Sequence, residues 1–170
     1  MAVAAQAQPI EAAHGTFSAL RSGNFRLYFF GLLVSQSGTW MQNIAQGYLV
    51  YTLTGSEAAL GLVALAAGLP LLLVSPMAGV IVERTPRKKM LQITQSTQMV
   101  LAIILTLLAA TGTVQVWHVV ALAFVLGVTG AFDAPARMTF VTEVVTREDL
   151  QSGIALGSIL NSTTRVLGPT

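Results

Sequence analysis

Long uncharged, mainly apolar runs alternate with short charged segments along this chain. No Asp, Glu, Lys or Arg occurs in three runs of 30, 25 and 43 residues, which are 27–56, 58–82 and 90–132. A helix that spans a bilayer needs about 20 mainly apolar residues, so each of the first two runs predicts one helix. At about 1.5 Å per residue, the third run would make a helix about 65 Å long, about twice the hydrocarbon thickness. It must therefore fold back, and Thr111–Thr113, with a central glycine, is the predicted turn.

The predicted fold is an all-α integral membrane protein with four complete transmembrane helices and a fifth that is cut at the C-terminus. Residues 1–16 are rich in Ala and Gln and are predicted to form a mobile tail. The spans are expected at about 27–53, 58–82, 90–110, 114–132 and 148–170.

Composition excludes the other broad classes of protein. Charged residues make up 9% of the chain, against about 25% in an ordinary globular domain. Mean hydropathy is +0.70, which excludes a disordered chain because disorder needs low hydrophobicity and high charge. The chain has no cysteine, so disulfides and thiolate metal sites are excluded. A net charge of only +2 does not indicate a nucleic-acid partner.

Positive charge is confined to one side of the predicted membrane. The turns at 54–57 and 111–113 contain no Lys or Arg. The cations outside the spans lie before span 1, between spans 2 and 3, and between spans 4 and 5: Arg21, Arg26, Arg84, Arg87, Lys88, Lys89, Arg137 and Arg147. The positive-inside rule places these segments and the N-terminus in the cytoplasm. We therefore expect a multi-pass protein of a bacterial cytoplasmic membrane.

Span 1 carries a polar stripe. Its members share one helical face: Ser35, Thr39, Gln42, Asn43 and Gln46. Unsatisfied amides in hydrocarbon are costly, so the stripe does not face lipid. It either hydrogen-bonds to a neighbouring helix or lines a translocation path. Spans 2 and 4 carry small residues that predict close helix packing: Gly61, Ala64, Ala67, Gly68, Gly127 and Gly130.

The loop between spans 2 and 3 reads Gly79-Val-Ile-Val-Glu83-Arg84-Thr-Pro86-Arg87-Lys88-Lys89. Its spacing of a glycine, an acid and bases resembles the signature Gly-x-x-x-Asp-Arg-x-Gly-Arg-Arg/Lys of the major facilitator superfamily. Glutamate replaces the usual aspartate, and Pro86 replaces the second glycine. Proline forbids a positive φ, so we expect a different turn. A basic loop that only sets topology is the plainer alternative.

The resemblance extends to other stretches of the chain. Residues 24–28, 35–42, 53–56, 132–137 and 165–169 look like the branch that holds enterobactin exporters and macrolide-efflux proteins. Members of the superfamily have about twelve helices in two halves, with substrate bound between the halves. The resemblance implies that residues 17–170 form a partial N-terminal half, which would not transport by itself and would need the missing C-terminal half as its partner.

The resemblance also implies roles for particular residues. The loop acts in the family as a conformational switch, which carries over to Gly79, Glu83, Arg84, Arg87 and Lys88. Asp133 and Arg137, at the predicted end of span 4, are expected either to pair with this loop or to form a solvated helix end that stops at Pro135. Arg165 lies within span 5, where a charge is either functional or snorkels to the interface.

The leading functional hypothesis is a secondary active transporter that exports a drug-like or siderophore-like small molecule by alternating access with proton coupling. The alternative is a short membrane scaffold or regulatory protein that acts through helix association. An intramembrane enzyme ranks lowest, because no Ser–His pair or metal-ligating cluster lies within a span. We expect no cofactor, no metal and no nucleic acid, with the lipid bilayer and a small-molecule substrate as partners.

Overall fold

Five α-helices and one short 3₁₀ helix make up the part of the chain that the computed structural model describes, residues 18–145 and 149–167. The 3₁₀ helix is Ser18–Arg21. The α-helices are α1 Gly23–Thr54, α2 Glu57–Glu83, α3 Arg87–Ala110, α4 Val116–Val144 and α5 Leu150–Leu167. The predicted tail at 1–16, Arg147, and the Gly168–Pro169 pair lie outside the described residues.

The two turns that contain no Lys or Arg, between α1 and α2 and between α3 and α4, each contain a glycine with positive φ. Gly55 ends α1 with a φ of 60°, and Gly112 has a φ of 67° in the turn after α3. The left-handed region suits glycine because it lacks a Cβ. The fold-back predicted at Thr111–Thr113 is therefore confirmed.

Three of the described helices, α2, α3 and α4, are long and apolar enough to cross a membrane. α1 has 32 residues, but its polar stripe lowers its hydropathy, and it is not among the three. The prediction of four complete spans is thus not confirmed beyond α2, α3 and α4.

α4 continues about three turns beyond Phe132, where the fourth span was expected to end. Pro135 lies inside this helix, so the expectation of a helix stop at Pro135 was wrong. Proline removes one backbone hydrogen bond, a loss that packing against neighbouring helices offsets in membrane proteins. That packing is present, because the next residue, Ala136, is fully buried with Val82 and Leu91.

α2 and α4 make the most extensive helix contact. A Cβ built on Gly127 would lie 2.1 Å from the backbone oxygen of Ala67 and 2.9 Å from Pro70 Cγ. The absence of a side chain at Gly127 therefore lets the two backbones touch, which confirms the predicted packing role of this glycine. Gly61 and Gly68 have no neighbour within 4 Å of a built Cβ in the described part.

The antiparallel order of the helices brings the start of α1, the α2–α3 turn, the end of α4 and the start of α5 to one end of the bundle, which we call the charged end. Two buried clusters hold it together, one around Phe25 and Leu156 and one around Val82 and Leu91. The 3₁₀ helix joins it to α5, since the Ala19 N–H donates to Ser152 Oγ at 3.3 Å.

Candidate functional site at the charged end

The α2–α3 turn contains most of the motif residues. Arg84 N–H donates to Ile81 O and Thr85 N–H to Val82 O, each at 3.2 Å, which closes the end of α2. Pro86 then precedes α3 with φ −55° and ψ 114°. The turn is thus formed without a positive φ, as expected from proline in place of glycine. Gly79 has open space around a built Cβ, so no described neighbour requires a glycine there.

Arg87 forms the contact between this turn and α4. Its guanidinium makes an ion pair with Glu143, which lies in the last turn of α4. The two side chains are 33% and 43% exposed. Such a partly exposed pair is worth about 1 kcal/mol or less, so it can break and re-form at low cost. The sequence interpretation did not include Glu143, because it ended the fourth span before this residue.

Asp133 lies at a second, buried contact. It is 6% exposed, and its Oδ1 accepts a hydrogen bond of 2.7 Å from Thr94 Oγ1 on α3. Its Oδ2 pairs with Arg137 one turn further along α4. The structure therefore brings Asp133 and Arg137 together. Within the described residues it does not pair Asp133 with the cations of the α2–α3 turn, which was one of the two alternatives that the sequence left open.

Tyr28 of α1 packs against the same region. Its ring centroid lies 5.1 Å from that of Phe140, and its hydroxyl is buried without a hydrogen-bond partner in the described part of the chain. Tyr28 therefore packs α1 against α4 through Phe140, a contact that the sequence did not predict because it links distant helices.

The remaining motif side chains point outward. Glu83, Arg84 and Lys88 are exposed, and none makes an ion pair with another described residue. Of the switch residues that the resemblance implied, only Arg87 forms an ion pair within the described ranges.

Some polar side chains of the α1 stripe, or beside it, contact neighbouring helices, whereas others have buried amide nitrogens without a hydrogen-bond partner in the described part. Thr39 Oγ1 lies 3.4 Å from Gln98 Oε1 on α3, and Gln36, beside the stripe, donates to Asn161 of α5 at 3.3 Å. Gln46 is 4% exposed, and its Nε2, like that of Gln42, is buried without a hydrogen-bond partner in the described part.

Other members of the stripe are more open. Ser35 is half-buried, and its carbonyl accepts from Thr39 Oγ1 at 3.0 Å. Asn43 is exposed. Arg165 lies in α5, but its side chain is outside the described part of the structure. Among the described residues, no group of three or more His, Cys, Asp or Glu side chains could hold a metal ion.

Membrane-length apolar helices joined by a charged turn define this chain as a multi-pass membrane protein. A family model described as transmembrane secretion effector, within the major facilitator superfamily, matches residues 14–170, and the chain belongs to this family. The chain is therefore a transmembrane transport protein of the major facilitator type. No curated protein and no solved structure matches it.

Proposed function

We propose that this chain forms part of a secondary active transporter that exports a drug-like or siderophore-like small molecule from a bacterial cytoplasm, by alternating access coupled to protons. Membership of a family of transmembrane secretion effectors supports export. In this proposal α1 crosses the bilayer as a fourth complete span, and the charged end faces the cytoplasm. The N-terminal half of which the chain is a part works against an opposing C-terminal half.

The observation that carries the proposal is the ion pair between Arg87 and Glu143. It ties the α2–α3 turn to the far end of α4. A contact of low strength between two helix ends suits a switch, because a transporter must exchange such contacts as it changes access state. Glu83 and Arg84 remain exposed, and we propose that they meet the opposing half in one of the two states.

The polar stripe of α1 provides the proposed path. Gln42 and Gln46 have amide nitrogens that are buried without a partner in the described part. A polar group without a partner in the membrane interior is costly. We propose that a substrate or the water that accompanies it satisfies these amides during transport.

The test is efflux of the dye Hoechst 33342 from cells that express the complete reading frame encoding this chain. We expect efflux that stops when a protonophore collapses the proton gradient. Glu83→Gln and Arg84→Gln should each lower the rate about tenfold, which corresponds to about 1.4 kcal/mol. Arg26→Gln, which removes an exposed cation outside the proposed switch, is the matched control. Wild-type efflux in both motif variants would contradict the proposed switch.

A scaffold that acts by helix association is the second candidate. It is favoured by one observation, since Gly61, Ala64 and Gly68 form an exposed strip of small residues on α2. In that case Gly61→Leu should abolish self-association in a membrane two-hybrid assay, and no dye should be exported. Efflux together with unchanged association would exclude the scaffold.

A further inference from the structure

The first three residues of α3 are the cations Arg87, Lys88 and Lys89. They differ in ion pairing. Arg87 is drawn toward α4 by Glu143. Lys88 and Lys89 are exposed, and neither forms an ion pair with another described residue. The contact with α4 therefore leaves two adjacent ammonium groups unneutralised by the described part of the chain.

The backbone of α3 adds to this positive charge. Its first turn contains no acidic residue, and Pro86 at the cap supplies no side-chain hydrogen bond. The first amide groups of a helix lack partners within the helix, and the helix dipole places partial positive charge there. Lysines at this position are unfavourable on their own, so an external anion would stabilise them.

An apolar, exposed face continues from Lys89 along α3. Ile93, Val100, Ile103 and Leu107 follow it at helical spacing, and they are 52%, 48%, 50% and 59% exposed. α3 is also one of the three helices long and apolar enough to cross a membrane. The two lysines therefore stand where a lipid-facing helix surface reaches the polar headgroups, the position at which lysine side chains snorkel.

We propose that Lys88 and Lys89, with the start of α3, bind the headgroup of an anionic phospholipid whose acyl chains lie along the exposed face of α3. The ligand carries negative charge, which complements the lysines, and long apolar chains, which complement Ile93 to Leu107. The placement of this lipid in the cytoplasmic leaflet rests on the proposed function. The binding of the lipid to the lysines and to α3 does not depend on it.

The test measures binding of fluorescent nitrobenzoxadiazole-phosphatidylglycerol to the full chain in a neutral detergent, with the matching phosphatidylcholine probe alongside. Each lysine near an anionic surface contributes about 1 kcal/mol, so Lys88→Gln with Lys89→Gln should weaken phosphatidylglycerol binding about thirtyfold. Lys88→Arg with Lys89→Arg should bind like the wild type, because it retains both charges. Both pairs of substitutions are on exposed side chains, and circular dichroism checks that helix content is unchanged.

Arg21→Gln with Arg26→Gln is the matched control, since it also removes two exposed cations near the charged end. We expect less than about threefold weakening from this pair, because neither arginine lies in a cluster of cations at an uncapped helix start. Equal loss in the two glutamine pairs, unchanged binding in the lysine pair, equal affinity for phosphatidylcholine, or displacement by inorganic phosphate alone would overturn the proposal. The assay measures no transport, so its failure is distinct from failure of the proposed function.

Discussion

The contact between α2 and α4 should be intolerant of a single methyl group at Gly127. In Gly127→Ala the new Cβ would lie 2.1 Å from the Ala67 carbonyl oxygen. To reach ordinary van der Waals separation the helices must move apart by about 1 Å, which weakens every other contact at the crossing. Overpacking of this kind lowers the free energy of unfolding by about 1–3 kcal/mol. A clash with backbone atoms falls at the upper end of that range, because the backbone cannot move aside as a flexible side chain can.

The helix propensity of alanine offsets part of that cost, by about 0.8–1 kcal/mol. We therefore expect a net destabilisation of about 2 kcal/mol. Gly130→Ala on the same helix is the matched control, because the nearest atom to its Cβ, on Leu71, is 3.8 Å away, which is an ordinary contact. Equilibrium unfolding of the purified chain by sodium dodecyl sulfate, followed by circular dichroism, compares the two. Equal free energies of unfolding would refute this account of the α2–α4 contact.

Two further predictions concern buried polar side chains, measured in the same unfolding assay. Asp133→Asn should lower the free energy of unfolding by about 3 kcal/mol, because it leaves the Arg137 guanidinium, 13% exposed, without a counter-charge. The Glu143 side chain is 43% exposed, so Glu143→Gln should lower the free energy of unfolding by less than about 1 kcal/mol. Equal losses in Asp133→Asn and Glu143→Gln would show that burial does not set the difference. Gln46→Leu should leave stability unchanged or raise it by about 1 kcal/mol while lowering dye efflux; a clear loss of stability would show that the amide has a partner.

The number and order of the helices could be predicted from the sequence, because they depend on local features such as uncharged runs and glycine turns. Uncharged runs of membrane length gave the positions of the first four helices, and a glycine in Thr111–Thr113 marked the fold-back that the structure forms. Small residues on spans 2 and 4 also predicted close helix packing, and the structure places Gly127 of α4 against Ala67 of α2. The sequence did not show which of the small residues form the contact, and Gly61 and Gly68 are exposed in the described structure.

The pairing of charges could not be read from the sequence. Pro135 resembled a helix stop, but the buried packing of Ala136 carries α4 through it to Val144. That extension brings Glu143 to Arg87, a residue 56 positions away in sequence. Asp133 meets Thr94 and Arg137 instead of the α2–α3 turn. These contacts depend on the relative rotation of three helices, which no local pattern specifies.

We propose that the Arg87–Glu143 ion pair breaks and re-forms during transport. A charge-swap cycle in the dye efflux assay tests this most directly. Arg87→Gln and Glu143→Gln should each lower efflux about tenfold, and the double neutral variant should be no slower than either, because both remove one interaction. Arg87→Glu combined with Glu143→Arg should restore most of the rate. Wild-type efflux in the single variants, or no rescue by the swap, would contradict the claim.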